Sequence, residues 1–329
     1  MREPTFWRRP GALAGWLLAP LAAIYGAVAA WRMARAGQAA GIPVICIGNL
    51  TVGGAGKTPT AMAVAQLLRD AGARPFVLSR GYDGRLAGPV QVDPDAHGAA
   101  EVGDEPLLLA RIAPTIVARD RVAGAQAART AGASVIVMDD GFQNPSLNKD
   151  LSLVVVDGRS GIGNGKVVPA GPLRAPLAAQ LARASALLVI GEGSGADPVL
   201  AAAPGLAMFH GRLEPDAQAL AALRPHKVLA FAGIGDPEKF FATLADAGID
   251  VRVRQAFPDH HRYRRVEAAE LIARAEREGL VLVTTEKDLV RLKGEDDLRA
   301  LAGIARALPV RLAVTEAEAF RRLILSRSA

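Results

Sequence analysis

Between residues 44 and 190 the chain alternates short apolar runs with helical periodicity, and this pattern restricts the fold more than any other feature. The runs at 44–48, 75–79, 115–118, 135–138, 152–156 and 186–190 are continuous rather than alternating, as strands buried on both faces require. Between them lie helical patterns at 60–70, 106–112 and 122–131, the first with Ala61, Val64, Ala65 and Leu68 on one face. Strand, helix and strand in this order predict right-handed βαβ units, and so an α/β fold with a doubly wound, mostly parallel sheet. Near 204–225 the pattern loosens. It restarts with "KVLAFAGIGDPEKFFATLADAGIDVRV", which "GLVLVTTEKD" and "PVRLAVTEAEAFRRLI" extend. The expectation is a first α/β domain over 37–213 and a smaller one over 214–329. With 329 residues and 50% of them hydrophobic, the chain is not disordered.

Residues 1–36 are a separate segment. Arg2, Arg8, Arg9, Arg32 and Arg35 against Glu3 carry +4 of the net charge of +6, so the rest of the chain is nearly balanced. No basic stripe interleaved with aromatics appears elsewhere, which argues against a nucleic-acid partner. The arginines bracket an uncharged run from Pro10 to Trp31, with Trp16, Tyr25 and Trp31 suited to a lipid interface and Pro20 to a helix break. A membrane anchor, spanning or half-inserted, is the leading expectation; a cleaved export signal and a buried core helix are the alternatives. The single cysteine, Cys46, cannot form an internal disulfide.

The first apolar run opens into "GNLTVGGAGKTP", and the residues after it have the makings of a phosphate loop. Glycines let backbone N–H groups point at phosphate oxygens, a lysine neutralises the β/γ charge, and a hydroxyl reaches Mg²⁺. Thr51, Val52, Gly53, Gly54, Ala55, Gly56, Lys57 and Thr58 are the expected nucleotide-binding stretch, although Thr51 stands where the general pattern has its first glycine. "DDGFQ" then places Asp139 and Asp140 after an apolar run, as a Mg²⁺-holding acid requires. A guanine-reading signature at suitable spacing is missing, which favours ATP over GTP. Asp104 and Glu105 of "VGDEP" read either as helix-capping acids or as a carboxylate base. Asp259, His260 and His261 of "FPDHHRY" suit an Asp–His pair better than a metal site. The Gly/Pro-rich loop "GNGKVVPAGPLRAP" carries Lys166 and Arg174, cations suited to an anionic substrate group.

"GNLTVGGAGKTP", "SRGY", "VGDEP", "DDGFQ", "GNGKVVPAGPLR", "FPDHHRY" and "TTEKD" occur in the order found in the tetraacyldisaccharide 4'-kinase family, and the chain resembles that family over nearly its whole length. Thr51 belongs to the resemblance, since the family's loop carries threonine there. The resemblance implies transfer of the ATP γ-phosphate to the 4'-hydroxyl of a tetraacylated glucosamine disaccharide 1-phosphate, a late step of lipid A biosynthesis. It implies a site at the cytosolic face of the inner membrane, with no obligate protein partner. Lys57 and Thr58 would hold phosphates and Mg²⁺, and Asp139 and Asp140 would serve the metal and the site. Asp104 would be the base and His260 would pair with it, while Arg174, Arg80 and Arg119 would face phosphate groups. Asn144 and Ala175 depart from the family, which often has His and Glu there. A membrane-tethered ATPase acting as a nucleotide switch is the alternative function.

Overall fold

The structure, a computed structural model, describes residues 4–9 and 11–328. Arg2, Glu3 and Pro10 of the expected anchor lie outside the described residues. In chain order the strands are β1 (Val44–Asn49), β2 (Pro75–Ser79), β3 (Val90–Gln91), β4 (Thr115–Val117), β5 (Val135–Asp139), β6 (Leu151–Asp157) and β7 (Ala186–Ile190). They continue as β8 (Ala207–Pro215), β9 (Lys227–Ala232), β10 (Asp250–Ala256), β11 (Val281–Thr285), β12 (Arg306–Leu308) and β13 (Val310–Val314).

Among the described residues the strands form two sheets, the larger in the order β13-β8-β7-β6-β1-β5-β2-β4-β3. Its pairs are parallel except at the two margins, β3 with β4 and β13 with β8. Side chains alternate between two buried faces. Val44 and Cys46 of β1 join Ile136 and Met138 of β5 in one core, while Ile45 and Ile47 join Val135 and Val137 in the other. The second core receives Ala61, Val64, Ala65 and Leu68 of helix α3 (Lys57–Asp70), the predicted apolar face. Because β1 lies at the centre with β5 beside it, the loop after β1 and the acids after β5 emerge side by side at the carboxyl edge, where open α/β sheets bind ligands.

The smaller sheet is parallel throughout, in the order β10-β9-β11-β12, with its own cores on both faces. The expected second unit does not run to the end of the chain. β13 pairs antiparallel with β8, Val310 opposite Pro215 and Val314 opposite Gly211, so the last strand and the Ala317–Leu325 helix return to the large sheet. Phe320 and Ile324 of that helix complete the core over α3, which gives the return its physical reason.

The N-terminal segment breaks where Pro20 suggested, into α1 (Leu13–Leu17) and α2 (Ala19–Ala34). One side of α2 is buried at Ala22, Gly26 and Met33, with Gly26 against Pro176 and Val167. The Gly/Pro-rich loop is ordered by this contact. Trp7 Nε1 donates to Pro169 O at 3.0 Å, Lys166 Nζ donates to Gly15 O at 3.1 Å, and the same ammonium lies 3.9 Å from the Trp16 ring centre. Leu17, Leu21, Ile24, Val28 and Trp31, at spacings of four and three, leave the other side exposed. Among the described residues no helix is long and apolar enough to cross a membrane.

Candidate active site

The loop between β1 and α3 has the shape of a phosphate cradle. Gly53 and Gly56 adopt φ of 107° and 90°, conformations that favour glycine, and a Cβ on Gly56 would stand 2.7 Å from Ile190 Cδ1. Thr51 has no such requirement. It forms an antiparallel bridge with Leu173, its neighbour Val52 donates N–H to Pro172 O at 2.8 Å, and Arg174 Nε donates to Thr51 O at 2.9 Å. The position is extended, so a β-branched residue suits it, and the loop 163–176 braces it from outside. Asn49 Nδ2 donates to Gly53 O at 3.2 Å and closes the loop from within.

Lys57 lies buried at the start of α3, with Nζ 3.4 Å from Gly53 O and 3.8 Å from Asp140 Oδ2. Burial holds its ammonium below the ordinary value, against the pull of Asp140. Asp140 takes a φ of 48° and receives both Arg174 Nη1, at 2.8 Å, and Nη2, at 3.1 Å. Burial opposes its ionisation, but Lys57 and Arg174 outweigh burial and hold the carboxyl below the usual range. Asp139 is the reverse case. It is buried with both carboxylate oxygens lacking any hydrogen-bond partner, and burial plus the charges of Glu105 and Asp140 push it well above the carboxylate range. Such a group calls for a cation, so the residues present fit a magnesium ion, with Thr58 as the hydroxyl beside it. Among the described residues no cluster of three or more His, Cys, Asp or Glu could hold a metal unaided. Magnesium commonly takes one or two carboxylates and completes its shell with phosphates and water.

The second group of titratable residues lies where the two sheets meet. Asp104 begins the helix Asp104–Leu109 and is buried, with Oδ1 accepting from Glu105 N at 2.8 Å. Its Oδ2 lies 2.7 Å from Arg291 Nε and 3.3 Å from His260 Nδ1. Burial raises the Asp104 pKa, but His260 and Arg291 reverse the effect and hold it far below the usual range. With both oxygens engaged and its pKa held low, Asp104 is the weaker proton acceptor of the pair as they stand here. His260 has the complementary property. The hydrogen bond to Asp104 raises its pKa above the ordinary imidazole value, with burial opposing. With Nδ1 turned to Asp104, Nε2 lies 3.9 Å from Asp259 Oδ1, and the Tyr82 ring lies 5.2 Å away centre to centre. His260 also holds a φ of 54°, pinned by its N–H donated to Gly233 O at 3.1 Å. His261 turns the other way, stacking on Phe257 and meeting Glu267 at 2.9 Å.

Of the remaining expected residues, Arg174 lies beside Asp140 as described, and Val52, Gly54 and Ala55 complete the loop. Arg80 and Arg119 are exposed just after β2 and β4, at the same sheet edge, with Arg119 donating to Gly84 O at 3.3 Å. Asn144 caps its own turn through Ser146, and Ala175 is fully buried with its carbonyl bound to Gln180. Three residues escaped the sequence reading, two of them on one helix. Lys287 Nζ reaches Glu105 Oε1 at 2.5 Å, and Arg291 binds Asp104, Asp288 and Gly233 O. Both belong to the helix Glu286–Lys293, and their i,i+4 spacing just after "TTE" was the available signal. Gln143 was also missed; it ties Asn49 O to Gln180 at 2.7 and 2.9 Å.

Comparison with known proteins identifies the family. Residues 14–329 match the family described as "LpxK: Tetraacyldisaccharide-1-P 4'-kinase". A protein of Rhodopseudomonas palustris strain BisA53, called tetraacyldisaccharide 4'-kinase, is 58% identical over 329 residues, covering 99% of this chain and 96% of its own. A namesake from Methylobacterium sp. strain 4-46 is 61% identical over 322 residues, covering 97% and 95%. Among solved structures, LpxK from Aquifex aeolicus in complex with ATP superposes with a TM-score of 0.75 at 27% identity, covering 96% of this chain and 99% of that one. The chain belongs to the tetraacyldisaccharide 4'-kinase family.

Proposed function

We propose that the chain transfers the γ-phosphate of ATP to the 4'-hydroxyl of a tetraacylated glucosamine disaccharide 1-phosphate, working at the cytosolic surface of the inner membrane. The observation that carries the reading is Asp139, a buried carboxylate with no protein partner, within electrostatic reach of Lys57 at the foot of a glycine loop.

Phosphoryl transfer needs positioning and charge neutralisation more than covalent help from the protein. The amides of 52–58 cradle the phosphates, Lys57 moves from Asp140 to the β/γ oxygens, and Arg174 meets the transferred group. Thr58 and Asp139 would hold the magnesium ion, which neutralises phosphate charge when bound. The 4'-oxygen attacks the γ-phosphorus as the bond to the β–γ bridging oxygen breaks, releasing ADP. His260 Nε2 takes the hydroxyl proton, and Asp104 keeps the proton on Nδ1 and stabilises the imidazolium that forms. Arg80 and Arg119, at the exposed rim, suit the substrate's 1-phosphate.

An acylated substrate stays in the bilayer, so the enzyme has to approach it. The exposed apolar stripe of α1 and α2, with Arg32 and Arg35 beyond its end, supports a half-inserted interfacial segment. Incubation with labelled ATP and an acylated disaccharide 1-phosphate in detergent tests the reaction directly. A labelled lipid product is expected, and its absence from protein shown to be folded would refute the proposal.

A further inference from the structure

Glu105 follows Asp104 at the start of a helix, where an acid ordinarily favours the positive helix end. Its carboxylate does something else. Oε1 accepts from Thr58 Oγ1 at 3.1 Å and from Lys287 Nζ at 2.5 Å, joining the first turn of α3 to the helix Glu286–Lys293. Glu105 also exerts the largest of the neighbouring charges that act on Asp139. Thr58 and Glu105 thus meet below the phosphate loop, and Asp139, buried without a partner, feels the Glu105 charge.

Magnesium prefers an octahedron with bonds of about 2.1 Å, whose adjacent ligands stand about 3.0 Å apart. Thr58 Oγ1 and Glu105 Oε1, joined by a hydrogen bond of 3.1 Å, already stand at a separation that one cation could span once the hydroxyl proton turns away. A cation already stands on the carboxylate: the half-buried Lys287 ammonium, with burial opposing its charge and Glu105 and Asp104 outweighing burial to raise its pKa. We propose that Glu105 is a ligand of the metal that accompanies the nucleotide, beside Thr58 and Asp139, and that Lys287 occupies this carboxylate while the metal is absent. The inference rests on the metal–nucleotide reading given above. Its consequence is that metal binding is felt directly by the second sheet, because the ammonium that yields is carried on a helix following β11.

The test is Mn²⁺ binding to the full-length protein, followed by electron paramagnetic resonance with a non-hydrolysable ATP analogue present, and analogue binding without metal measured separately. Glu105→Gln is expected to weaken Mn²⁺ at least ten-fold while changing metal-free analogue affinity less than two-fold. Lys287→Met, which removes the competing cation, is expected to strengthen Mn²⁺ several-fold. The double variant avoids leaving Lys287 without its partner, and should be as weak for Mn²⁺ as Glu105→Gln. Mn²⁺ affinity within two-fold of wild type in Glu105→Gln and in the double variant overturns the assignment and leaves the kinase reading standing. Equal losses of metal and metal-free analogue binding also overturn it, since they mark a structural role. If wild-type protein itself fails to bind Mn²⁺ with the analogue, the underlying metal–nucleotide reading falls instead.

Discussion

Replacing Leu21, Ile24 and Val28 together by serine should detach the protein from membranes without disturbing its fold. These side chains are 59, 66 and 51% exposed on the outer side of α2, so their removal opens no core. Burying a large aliphatic side chain completely is worth about 1.5–3 kcal/mol. Scaled by the exposed fraction, each contributes on the order of 1.3 kcal/mol when lipid covers it, or about 4 kcal/mol for the three. At 1.4 kcal/mol per decade, that is roughly a thousand-fold fall in the partition coefficient. Arg32 and Arg35 are untouched, so anionic vesicles should retain the variant better than neutral ones at low salt, by about 1 kcal/mol per arginine near the surface. Co-sedimentation with vesicles of both kinds measures this, with circular dichroism to verify folding. A folded triple variant that partitions like wild type would refute the interfacial role of the stripe.

Lys57→Ala should lower lipid phosphorylation by several orders of magnitude, read as labelled product, because nothing else in the loop carries its charge; turnover near wild type would remove Lys57 from the mechanism. Asp104→Asn should lower kcat and also move the acidic limb of its pH profile. His260 is active as a base only when neutral, and Asp104 raises its pKa, so wild-type activity should fall on acidification through a point above about 6.5, the ordinary imidazole value. Without the aspartate charge that limb should shift to lower pH, and an unmoved limb would argue against the pairing. Gly48→Ala should destabilise the fold by about 1–3 kcal/mol. Its Cβ would stand 2.3 Å from Phe142 Cβ, and an unchanged denaturant midpoint would contradict that packing.

Continuous apolar runs announced the central strands, and Pro75–Ser79 and Ala186–Ile190 end where the residues suggested. Strands covered on both faces leave little ambiguity. The margins were less legible. β8 alternates weakly with many exposed positions, and "PVRLAV" looks locally like one more strand of the second sheet, whereas its pairing with β8 depends on contacts about a hundred residues apart. The phosphate loop was readable because its chemistry is local, and Thr51 made sense only once Leu173 was seen beside it. Asp104 and His260 were legible as a pair, whereas Arg291, nearly two hundred residues from Asp104 in sequence, was not, and its guanidinium shares Asp104 Oδ2 with His260.

The charges around the site explain why two sheets are needed to build it. Asp104, Glu105 and Asp140 face Arg291, Lys287, Lys57 and Arg174 in paired contacts, while Asp139 has no partner. Ions withdrawn from water are costly unless neutralised, so a partly buried cluster of this kind persists because it is internally compensated. Metal and nucleotide arrive as competitors for those pairs. On the proposed reading, phosphate oxygens would draw Lys57 and Arg174 away from Asp140, and a divalent cation would take the place that the carboxylates leave open. Each protein pair that broke would be replaced by a pair with the ligand, so the net gain would come from Asp139, the carboxylate of this cluster with no bond to lose. Two of the four cations come from the helix Glu286–Lys293, so the larger sheet alone would hold the acids without enough positive charge beside them. The joining of the two sheets is thus part of the electrostatics of the site as well as the means of bringing His260 to it.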